Sequence, residues 1–230
     1  MINKKKLVVL TGAGISAESG LRTFRDTGGL WEGYKIEDVA TPRAWQKNRA
    51  HVQEFYNKRR KEVAKAKPNA AHYGLAELEN DFDVTIITQN IDDLHERAGS
   101  NNVLHLHGEI FKMRSDKNSK LVYDIHDDIP PDAKAEDGGF LRPHVVWFEE
   151  SVPMMESAMD YVLQADIFAV IGTSLIVYPA AGLVSLAPVS APVFIVDKEI
   201  PFIESDRIIE IKKVATEGIL DLKTQLLAMK

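Results

Sequence analysis

A glycine turn near the start of the chain is the first feature that could do chemistry. The apolar run Leu7–Leu10 leads into Gly12, Gly14 and Ala17, which match the pattern G-x-G-x-x-G/A. Glycines let the backbone turn tightly and approach a pyrophosphate, and the N-terminus of a following helix supplies amide donors. The pattern alone is weak, because many strand-to-helix turns carry two glycines. It predicts contact with a ligand that carries phosphate.

The residues after this turn argue against a dehydrogenase. Such an enzyme needs a second strand soon after the helix, with an acid at its end for the ribose hydroxyls. Residues 18–31 instead contain glycines, charges and aromatic residues without an apolar run. Long loops inside compact domains are usually functional. We therefore expect a phosphate-bearing ligand in a site that does not transfer hydride.

Polar residues that suit acid–base chemistry follow two other apolar runs. Asn90 and Asp92 come after Val84–Ile87, and His105 and His107 lie in a short segment that continues as glycine. If that segment is a strand, the two histidines share a face, and His107 lies nearer its carboxyl end, where open α/β sheets bind ligands. A histidine near its ordinary pKa suits proton abstraction from a hydroxyl. The alternatives are structural histidines and, for Asn90 and Asp92, helix caps.

The elements that must position these residues alternate between strands and helices. Continuous apolar runs of strand length, rich in Val and Ile, are typical of strands buried on both faces of a parallel sheet. We expect an α/β fold, a Rossmann-like parallel sheet flanked by helices. The predicted strands are Leu7–Leu10, Val84–Ile87, Val103–Leu106, Ile167–Ile171, Val193–Val196 and Ile208–Ile211, and the predicted helices are Ala70–Glu79, Met154–Gln164, Ala180–Leu186 and Gly218–Leu227.

Two segments leave this alternation and predict a smaller inserted domain. From Trp31 to Lys67 there is no strand candidate, only a helical stretch that begins near Pro42, and residues 111–140 are polar with paired prolines and glycines. We expect a single catalytic domain over 1–230. Its core covers about 1–30, 81–108 and 141–230, and its small module covers about 31–80 and 109–140.

Composition excludes several classes of function. The 230 residues include no cysteine, which excludes disulfides, thiolate catalysis and a cysteine-ligated zinc site. The net charge is −6 without a basic stripe, so we expect no nucleic-acid partner. The apolar run after the N-terminal lysines is too short for a signal peptide or a membrane span. We therefore expect a cytoplasmic protein without a membrane partner.

Five blocks of this sequence, in order between residues 12 and 174, resemble the signature motifs of sirtuins. Together they are far more specific than any one of them. The blocks are Gly12–Ser16 with Phe24-Arg25 and Leu30-Trp31, then Thr88–Asp92, His107-Gly108, Leu141–Phe148 and Gly172–Ser174.

The resemblance implies a sheet domain and a small domain, with NAD and an acyl-lysine peptide in the cleft between them. In that family the acyl oxygen attacks C1′ of the nicotinamide ribose, and the products are nicotinamide, free lysine and O-acyl-ADP-ribose. No enzyme nucleophile is needed, which suits a chain without cysteine. We expect a monomer that removes succinyl, malonyl or acetyl groups from protein lysines.

The resemblance also assigns roles to residues. It implies that His107 is the general base, that Asn90 positions ribose and water, and that Asp92 binds the nicotinamide amide. Arg25 suits phosphate through its planar donors. The expected NAD-binding residues are Gly12, Ala13, Gly14, Ser16, Phe24, Arg25, Trp31, Gln89, Asn90, Ile91, Asp92, Gly172, Thr173 and Ser174, with Asp197 and Ala215 as weaker assignments. The substrate-binding strand supplies Val146, Trp147 and Phe148.

Tyr56 and Arg59 predict the kind of acyl group. They are three residues apart on a helical stretch and so share a face. Sirtuins that remove succinyl and malonyl groups have this Tyr-x-x-Arg pair, in which the phenol and guanidinium bind a carboxylate. The alternative is a solvated basic helix, which Lys58, Arg60 and Lys61 would illustrate.

The sequence departs from the family in three places, one of which is Asp197, where the family usually has an asparagine. Sirtuins usually hold a zinc ion with four cysteines after His107-Gly108, but here Ser115 stands near the first expected cysteine. We expect no zinc, and a small domain held by apolar packing around residues 111 and 121–125. The family's glycine after Trp147-Phe148 is Glu149, where a side chain could alter peptide binding. NAD glycohydrolase or ADP-ribosyltransferase activity is therefore an alternative, and a non-catalytic NAD-binding module is a further one.

Overall fold

The computed structural model describes residues 4–22, 30–31, 33–200 and 206–230. The described strands are β1 Lys6–Thr11, β2 Leu30–Trp31, β3 Tyr34–Lys35, β4 Asp83–Thr88, β5 Val103–His105, β6 Gly108–Ser115, β7 Val122–Asp124, β8 Leu141–Val145, β9 Ile167–Ile171, β10 Val193–Val196 and β11 Ile208–Ile211. The described α-helices are α1 Ala13–Ser16, α2 Ile36–Val39, α3 Pro42–Lys47, α4 Arg49–Lys65, α5 Ala70–Leu78, α6 Leu94–Arg97, α7 Met155–Leu163, α8 Leu183–Leu186 and α9 Ala215–Leu227.

A six-stranded parallel sheet forms the centre of the molecule, in the order β11-β10-β9-β1-β4-β5. All six predicted strands are confirmed in it. From β1 the chain continues to β4 and β5 on one side of β1, and then crosses to β9, β10 and β11 on the other side. The direction in which strands are added therefore reverses beside β1. Thr11 is in register with both Thr88 and Ile171. The loops after β1, β4 and β9 therefore leave the same edge, where such sheets bind ligands.

Alternate residues of β1 supply two cores, one on each face of the sheet. Leu7 and Val9 pack with α5 and α9, whereas Val8 and Leu10 pack with α7 and α8. This two-sided burial explains why the strands have continuous apolar sequences. None of the helices in the described part of the chain is long and apolar enough to span a membrane.

A second unit consists of the antiparallel sheet β7-β6-β8 and the helices α2 to α4. The predicted helical stretch is interrupted, because Thr41 caps α3 and Asn48 caps α4 through hydrogen bonds from Ala44 N and His51 N. Trp45 and Phe55 pack from these helices into its core.

The division into a core and a small module stays a prediction, and two elements lie differently from it. Helix α5, within predicted module residues 31–80, packs against the large sheet because Leu75 and Leu78 belong to that core. Strand β8, within predicted core residues 141–230, pairs with β6 in the small sheet. The sequence also gave no sign of the short hairpin β2–β3, whose strands have two residues each.

Candidate active site

A cleft of about 510 Å³ lies at the carboxyl edge of the large sheet and extends to α4 and the segment after β8. The structure brings nearly all predicted site residues together around it. They are Gly12, Ala13, Gly14, Ser16, Tyr56, Arg59, Gln89, Asn90, Ile91, Asp92, His107, Val146, Trp147, Phe148, Gly172, Thr173, Ser174, Asp197 and Ala215. Phe24 and Arg25 lie outside the described residues, and Trp31 is described only by its backbone in β2.

The glycines after β1 pack against the loop after β9. Gly14 N donates to Gly172 O over 2.8 Å, and a Cβ on Gly12 would lie 2.7 Å from the Cβ of Thr173. Gly172 itself has a φ of +65°, which favours glycine. The glycines predicted to face a pyrophosphate are therefore also needed for the close approach of two site loops. Gln89 Nε2 joins the third loop by donating to Thr173 Oγ1 over 3.2 Å.

The hydroxyl of Ser16 is the centre of a buried hydrogen-bond network. It donates to Asp92 Oδ2 over 3.1 Å and accepts from Asn90 Nδ2 over 3.1 Å, and His72 Nε2 lies 3.4 Å away. The backbone N–H of Asn69 donates to His72 Nδ1 over 3.2 Å. Asn69 Oδ1, which only accepts, lies 3.1 Å from the same nitrogen, so these contacts do not select one neutral tautomer of His72. The proton of Ser16 is directed to Asp92 by the contact with Oδ2.

Sequence reasoning missed His72, although a local signal was present. Asn69 and His72 stand at N-cap and N3 of α5, and each side chain accepts a hydrogen bond from the other's backbone in a capping box. Asn69 Nδ2 also donates to Ile15 O over 2.8 Å. The cap thus attaches α5 to the glycine turn. Burial lowers the pKa of His72 to about 4.

Asp92 is a buried carboxyl group that lines the cleft. Burial raises its pKa, while hydrogen bonds from Leu94 N and Ser16 oppose that shift. The Leu94 contact, 3.2 Å to Oδ1, lies at the start of α6, but the N-cap of that helix is Asp93 and not Asp92. The N-cap alternative for Asp92 is therefore wrong, and its ligand role stays a prediction. Asn90 does not cap this helix, because its side chain amide donates to Ser16 instead.

His107 follows the end of β5 and has a fixed ring orientation. Its Nδ1 lies 2.9 Å from the carbonyl oxygen of Gln89, which can only accept. The neutral ring therefore carries its proton on Nδ1 and has its basic lone pair on Nε2. Burial lowers the pKa of His107. Its carbonyl accepts from Val146 N over 2.8 Å, which ties the predicted substrate strand to this histidine.

His105 is engaged in structural contacts. Its Nδ1 lies 3.1 Å from Asn90 O and its Nε2 lies 2.7 Å from Glu96 Oε1. Burial lowers the pKa of His105, but its hydrogen bond and charge pairing with Glu96 outweigh burial, so the pKa is raised. This pairing agrees with the structural interpretation of His105.

Tyr56 and Arg59 project from α4 into the interior and not into solvent. Tyr56 is 0% exposed and Arg59 is 8% exposed, and both line the cleft. Trp147 Nε1 donates to the Tyr56 hydroxyl over 3.0 Å. The solvated-helix alternative is therefore wrong for this face. It is also wrong for Arg60, which is 1% exposed and donates to Ile110 O over 2.9 Å.

Comparison with known proteins identifies the family. The model of the Sir2 family matches residues 12–179. The chain belongs to the Sir2 family. An NAD-dependent protein deacylase of Bacteroides thetaiotaomicron is 50% identical over 97% of this chain and 98% of its own length. A protein of the same description from Aggregatibacter actinomycetemcomitans is 57% identical over 83% of this chain and 91% of its own length.

Solved Sir2 structures show the same fold. A variant of a Sir2 homologue in complex with ADP-ribose superposes with a TM-score of 0.88 at 38% identity, covering 99% of this chain and 95% of its own. A Sir2 homologue in complex with NAD superposes with a TM-score of 0.86 at 38% identity, covering 98% of this chain and 91% of its own. The predicted family and the predicted Rossmann-like α/β fold are confirmed.

The region where sirtuins usually bind zinc contains a hydrogen-bonded serine in this Sir2 chain. Ser115 Oγ donates to the carboxylate of Asp137, 2.8 Å from Oδ2, and accepts from Lys117 N over 3.1 Å and Asn118 N over 3.3 Å. Gly139 N also donates to Asp137 over 2.8 Å. Within the described ranges, no group of three or more His, Cys, Asp or Glu residues could hold a metal ion. The residues present do not fit zinc, and its absence stays a prediction.

Apolar packing alone was the expectation for this small unit, and that expectation is wrong. Val122 is exposed. Hydrogen bonds join the two ends of the polar segment, from Ser115 Oγ to Asp137 and from Asp116 N to Phe140 O.

Asn57 on α4 exchanges two hydrogen bonds with the backbone of Ile129, each 3.0 Å long. Of the residues expected to pack there, Phe111 does contact the apolar core of this unit. Further apolar contributions come from Ile110 and the fully buried Ile129.

Glu149, in the family's usual glycine position, has the backbone conformation of a glycine. Its φ is +74°, in the left-handed region. Its carboxylate forms an ion pair with Arg43 at the start of α3. The neighbouring Phe148 N donates to Ala40 O over 3.0 Å. Two contacts thus attach the predicted substrate strand to the helical part of the second unit.

Proposed function

We propose that this chain is an NAD-dependent protein-lysine deacylase that transfers the acyl group to ADP-ribose. The observation that carries this proposal is the geometry of His107. The carbonyl of Gln89 holds the ring proton on Nδ1, which leaves Nε2 basic, and His107 lines the cleft. Binding alone does not need a general base. Membership in the Sir2 family and relatives described as NAD-dependent protein deacylases support the same activity.

The cleft fits a dinucleotide. Its volume of about 510 Å³ is in the range of ligand sites. The three neighbouring strands β1, β4 and β9 are in register, so the loops that follow them all begin at the cleft. The residues that would hold NAD are those after β1, β4 and β9, with Asp197 and Ala215 at the far end. NAD, when bound, supplies the C1′ carbon of its nicotinamide ribose as the acceptor for the acyl oxygen.

The chain's own residues position the groups and move a proton. Asp92 binds the nicotinamide amide, and Ser16 keeps that carboxylate oriented by donating to it. Asn90 positions ribose and water. His107 Nε2 accepts a proton from a ribose hydroxyl, and the carbonyl of Gln89 stabilises the protonated ring through Nδ1.

We further propose that the preferred acyl groups end in a carboxylate. Tyr56 and Arg59 are the supporting residues, since both are buried on one side of the cleft instead of being solvated. A guanidinium binds a carboxylate by a forked contact, and a phenol adds one donor. Succinyl- and malonyl-lysine therefore fit this pocket better than acetyl-lysine.

Mass spectrometry of acetyl, succinyl and malonyl peptides, each with and without NAD, tests the proposal. Deacylation that needs NAD and yields O-acyl-ADP-ribose supports it, whereas plain ADP-ribose without deacylation identifies an NAD glycohydrolase. Arg59→Met should reduce turnover of the succinyl peptide more than that of the acetyl peptide. An equal loss on both would remove the carboxylate proposal and leave the deacylase intact.

A further inference from the structure

Residues 147–150, which lie just after β8 and which we call the rim turn, include two of the predicted peptide-binding residues, Trp147 and Phe148. We propose that Arg43 is a positioning residue that lowers the KM for acyl-lysine peptide by holding the rim turn in a left-handed conformation through its ion pair with Glu149. This inference rests on the proposed deacylase function but not on the preferred acyl group.

The backbone of the rim turn is unfavourable for a residue with a side chain. Glu150 N donates to Trp147 O over 3.1 Å and closes the four-residue turn. Its third residue, Glu149, has a φ of +74°. A left-handed third residue is typical of type II turns and favours glycine, because a Cβ is strained there. Glu149 therefore needs contacts that hold it in the conformation that the turn requires.

Buried contacts hold the two ends of the rim turn. Glu150 accepts from Trp147 N over 2.8 Å and from Arg142 Nη1 over 2.7 Å. Arg142 is 6% exposed, and its guanidinium carbon lies 3.2 Å from the centre of the Trp147 ring system. These contacts fix residues 147 and 150 and do not involve Glu149, so the conformation of the third residue depends on its own contacts.

The side chain of Glu149 is held by Arg43 of α3. Arg43 Nε donates to Glu149 Oε2 over 3.2 Å, and Arg43 Nη2 donates to Oε1 of the same carboxylate. This forked contact uses both oxygens and so fixes the direction of the side chain. Helix α3 is itself anchored, since Trp45 is 6% exposed in the core of the second unit and donates to Asp116 over 3.1 Å. The ion pair thus ties the left-handed residue to a packed helix.

The rim turn lies at the cleft, where Phe148 and Glu149 are both lining residues. Phe148 N donates to Ala40 O over 3.0 Å, so the backbone beside Glu149 also contacts the residues before α3. A peptide that binds along this backbone must order it, and that loss of freedom weakens binding. A rim turn that is already ordered removes this loss. Arg43 should therefore act on the affinity for peptide, while NAD binding and proton transfer at His107 stay unchanged.

Arg43→Gln is the direct test, because it removes the charge and keeps a polar side chain. The substrate is an acetyl-lysine peptide whose flanking residues carry no charge, so that the charge of Glu149 does not act on it directly. The side chains of Arg43 and Glu149 are 80% and 41% exposed, so the effect of their pair is modest. The peptide KM should rise roughly two- to fivefold, the factor that an exposed ion pair supplies, with kcat and the KM for NAD unchanged.

Lys61→Gln is the matched control, since it removes an exposed ion pair from the same unit. Lys61 Nζ lies 2.7 Å from Asp128 Oδ2, and neither of these two residues lines the cleft, so the peptide KM should not change. The charge swap, Arg43→Glu together with Glu149→Arg, re-forms the pair with the charges exchanged. It should restore most of the wild-type KM, whereas each single swap raises it.

Substitutions of Glu149 separate positioning from direct contact with the peptide. Glu149→Gly adopts the left-handed conformation without help from Arg43, so its peptide KM should stay close to that of the wild type. Glu149→Ala keeps the strain of a Cβ and loses the ion pair, so its KM should rise as in Arg43→Gln. If the carboxylate itself bound the peptide, the glycine and alanine variants would raise the KM equally.

The outcomes distinguish the two proposals. A wild-type protein that removes no acyl group with NAD contradicts the proposed function, and this inference with it. A wild-type protein that deacylates the peptide, while Arg43→Gln leaves the peptide KM unchanged or lowers kcat instead, overturns the role of Arg43 alone. Equal rises in KM for Glu149→Ala and Glu149→Gly, or a charge swap that restores nothing, also overturn it.

Discussion

The Nδ1 atom of His107 lies 2.9 Å from the carbonyl oxygen of Gln89, and this contact determines which ring nitrogen is basic. Gln89 comes directly after β4 and His107 lies in the turn that follows β5, so two neighbouring strands of the sheet set the histidine's tautomer. A fixed direction of donation also runs from Asn90 to Ser16 and from Ser16 to Asp92. Groups that can donate only once are thus oriented before any ligand binds.

The first prediction concerns the pH dependence of turnover. Burial lowers the pKa of His107 from its ordinary value of 6.5, so the base is already neutral at pH 7. The kcat/KM for deacylation should be level near pH 7 and should fall only as the pH drops through a value below 6.5. A profile between pH 5 and 8, measured at saturating NAD, checks this.

His107→Asn serves as the control for that profile. It should lower turnover by roughly 10²-fold or more, the usual contribution of a general base. NAD binding, followed by calorimetry, should persist. An acidic limb above pH 6.5 in the wild type, or near-normal turnover in the variant, contradicts the assignment.

The second prediction is a loss of stability in mild acid. His72 has its pKa lowered from 6.5 to about 4, chiefly by burial. Between these values the unfolded chain binds the proton and the folded chain does not. The stabilising contribution is therefore complete above pH 6.5 and is lost as the pH falls toward 4, by on the order of 3 kcal/mol. The buried His95 acts in the same direction.

Urea unfolding at intervals between pH 4.5 and 7.5 measures this effect. The variant His72→Gln keeps a donor for Ser16 but does not titrate, so its stability should fall less steeply over this range. If the free energy of unfolding fell equally steeply with pH in the wild type and in His72→Gln, His72 would not contribute to the pH dependence.

The sequence predicted the large sheet well and the second unit poorly, for physical reasons. Strands such as Ile167–Ile171 are buried on both faces and therefore have continuous apolar sequences. Strands β6 and β7 are only partly covered and have mixed sequences, so no pattern marked them. The site residues followed from strand ends and family motifs. The local capping box could have marked His72 as a helix cap, but its contact with Ser16 spans 56 residues and is not encoded by any local pattern.

The third prediction concerns the segment where zinc is expected in the family. Ser115 is 1% exposed, and its hydroxyl satisfies two backbone N–H groups as well as Asp137. Ser115→Ala should lower the free energy of unfolding by roughly 1–3 kcal/mol, because these groups lose a buried partner. The exposed Ser119, in the same segment, provides the matched control Ser119→Ala, which should have little effect.

Chelation tests the same segment independently. Since Ser115 and Asp137 use their oxygens for hydrogen bonds, prolonged treatment with EDTA should leave the melting temperature unchanged. Elemental analysis that finds stoichiometric zinc, or a fall in melting temperature with EDTA, would refute the zinc-free prediction.

The last prediction concerns Glu149, whose φ of +74° is costly for any residue with a Cβ. The variants Glu149→Gly and Glu149→Ala both lose the ion pair with Arg43, so their difference isolates the backbone. Glycine has no Cβ penalty in the left-handed region, which costs other residues roughly 1–2 kcal/mol.

The greater freedom of glycine in the unfolded chain offsets part of this gain. The glycine variant should therefore be more stable than the alanine variant by about 1 kcal/mol in urea unfolding. Equal stabilities would show that the left-handed conformation at this position relaxes without cost, and that the family's glycine is not needed for backbone geometry in this chain.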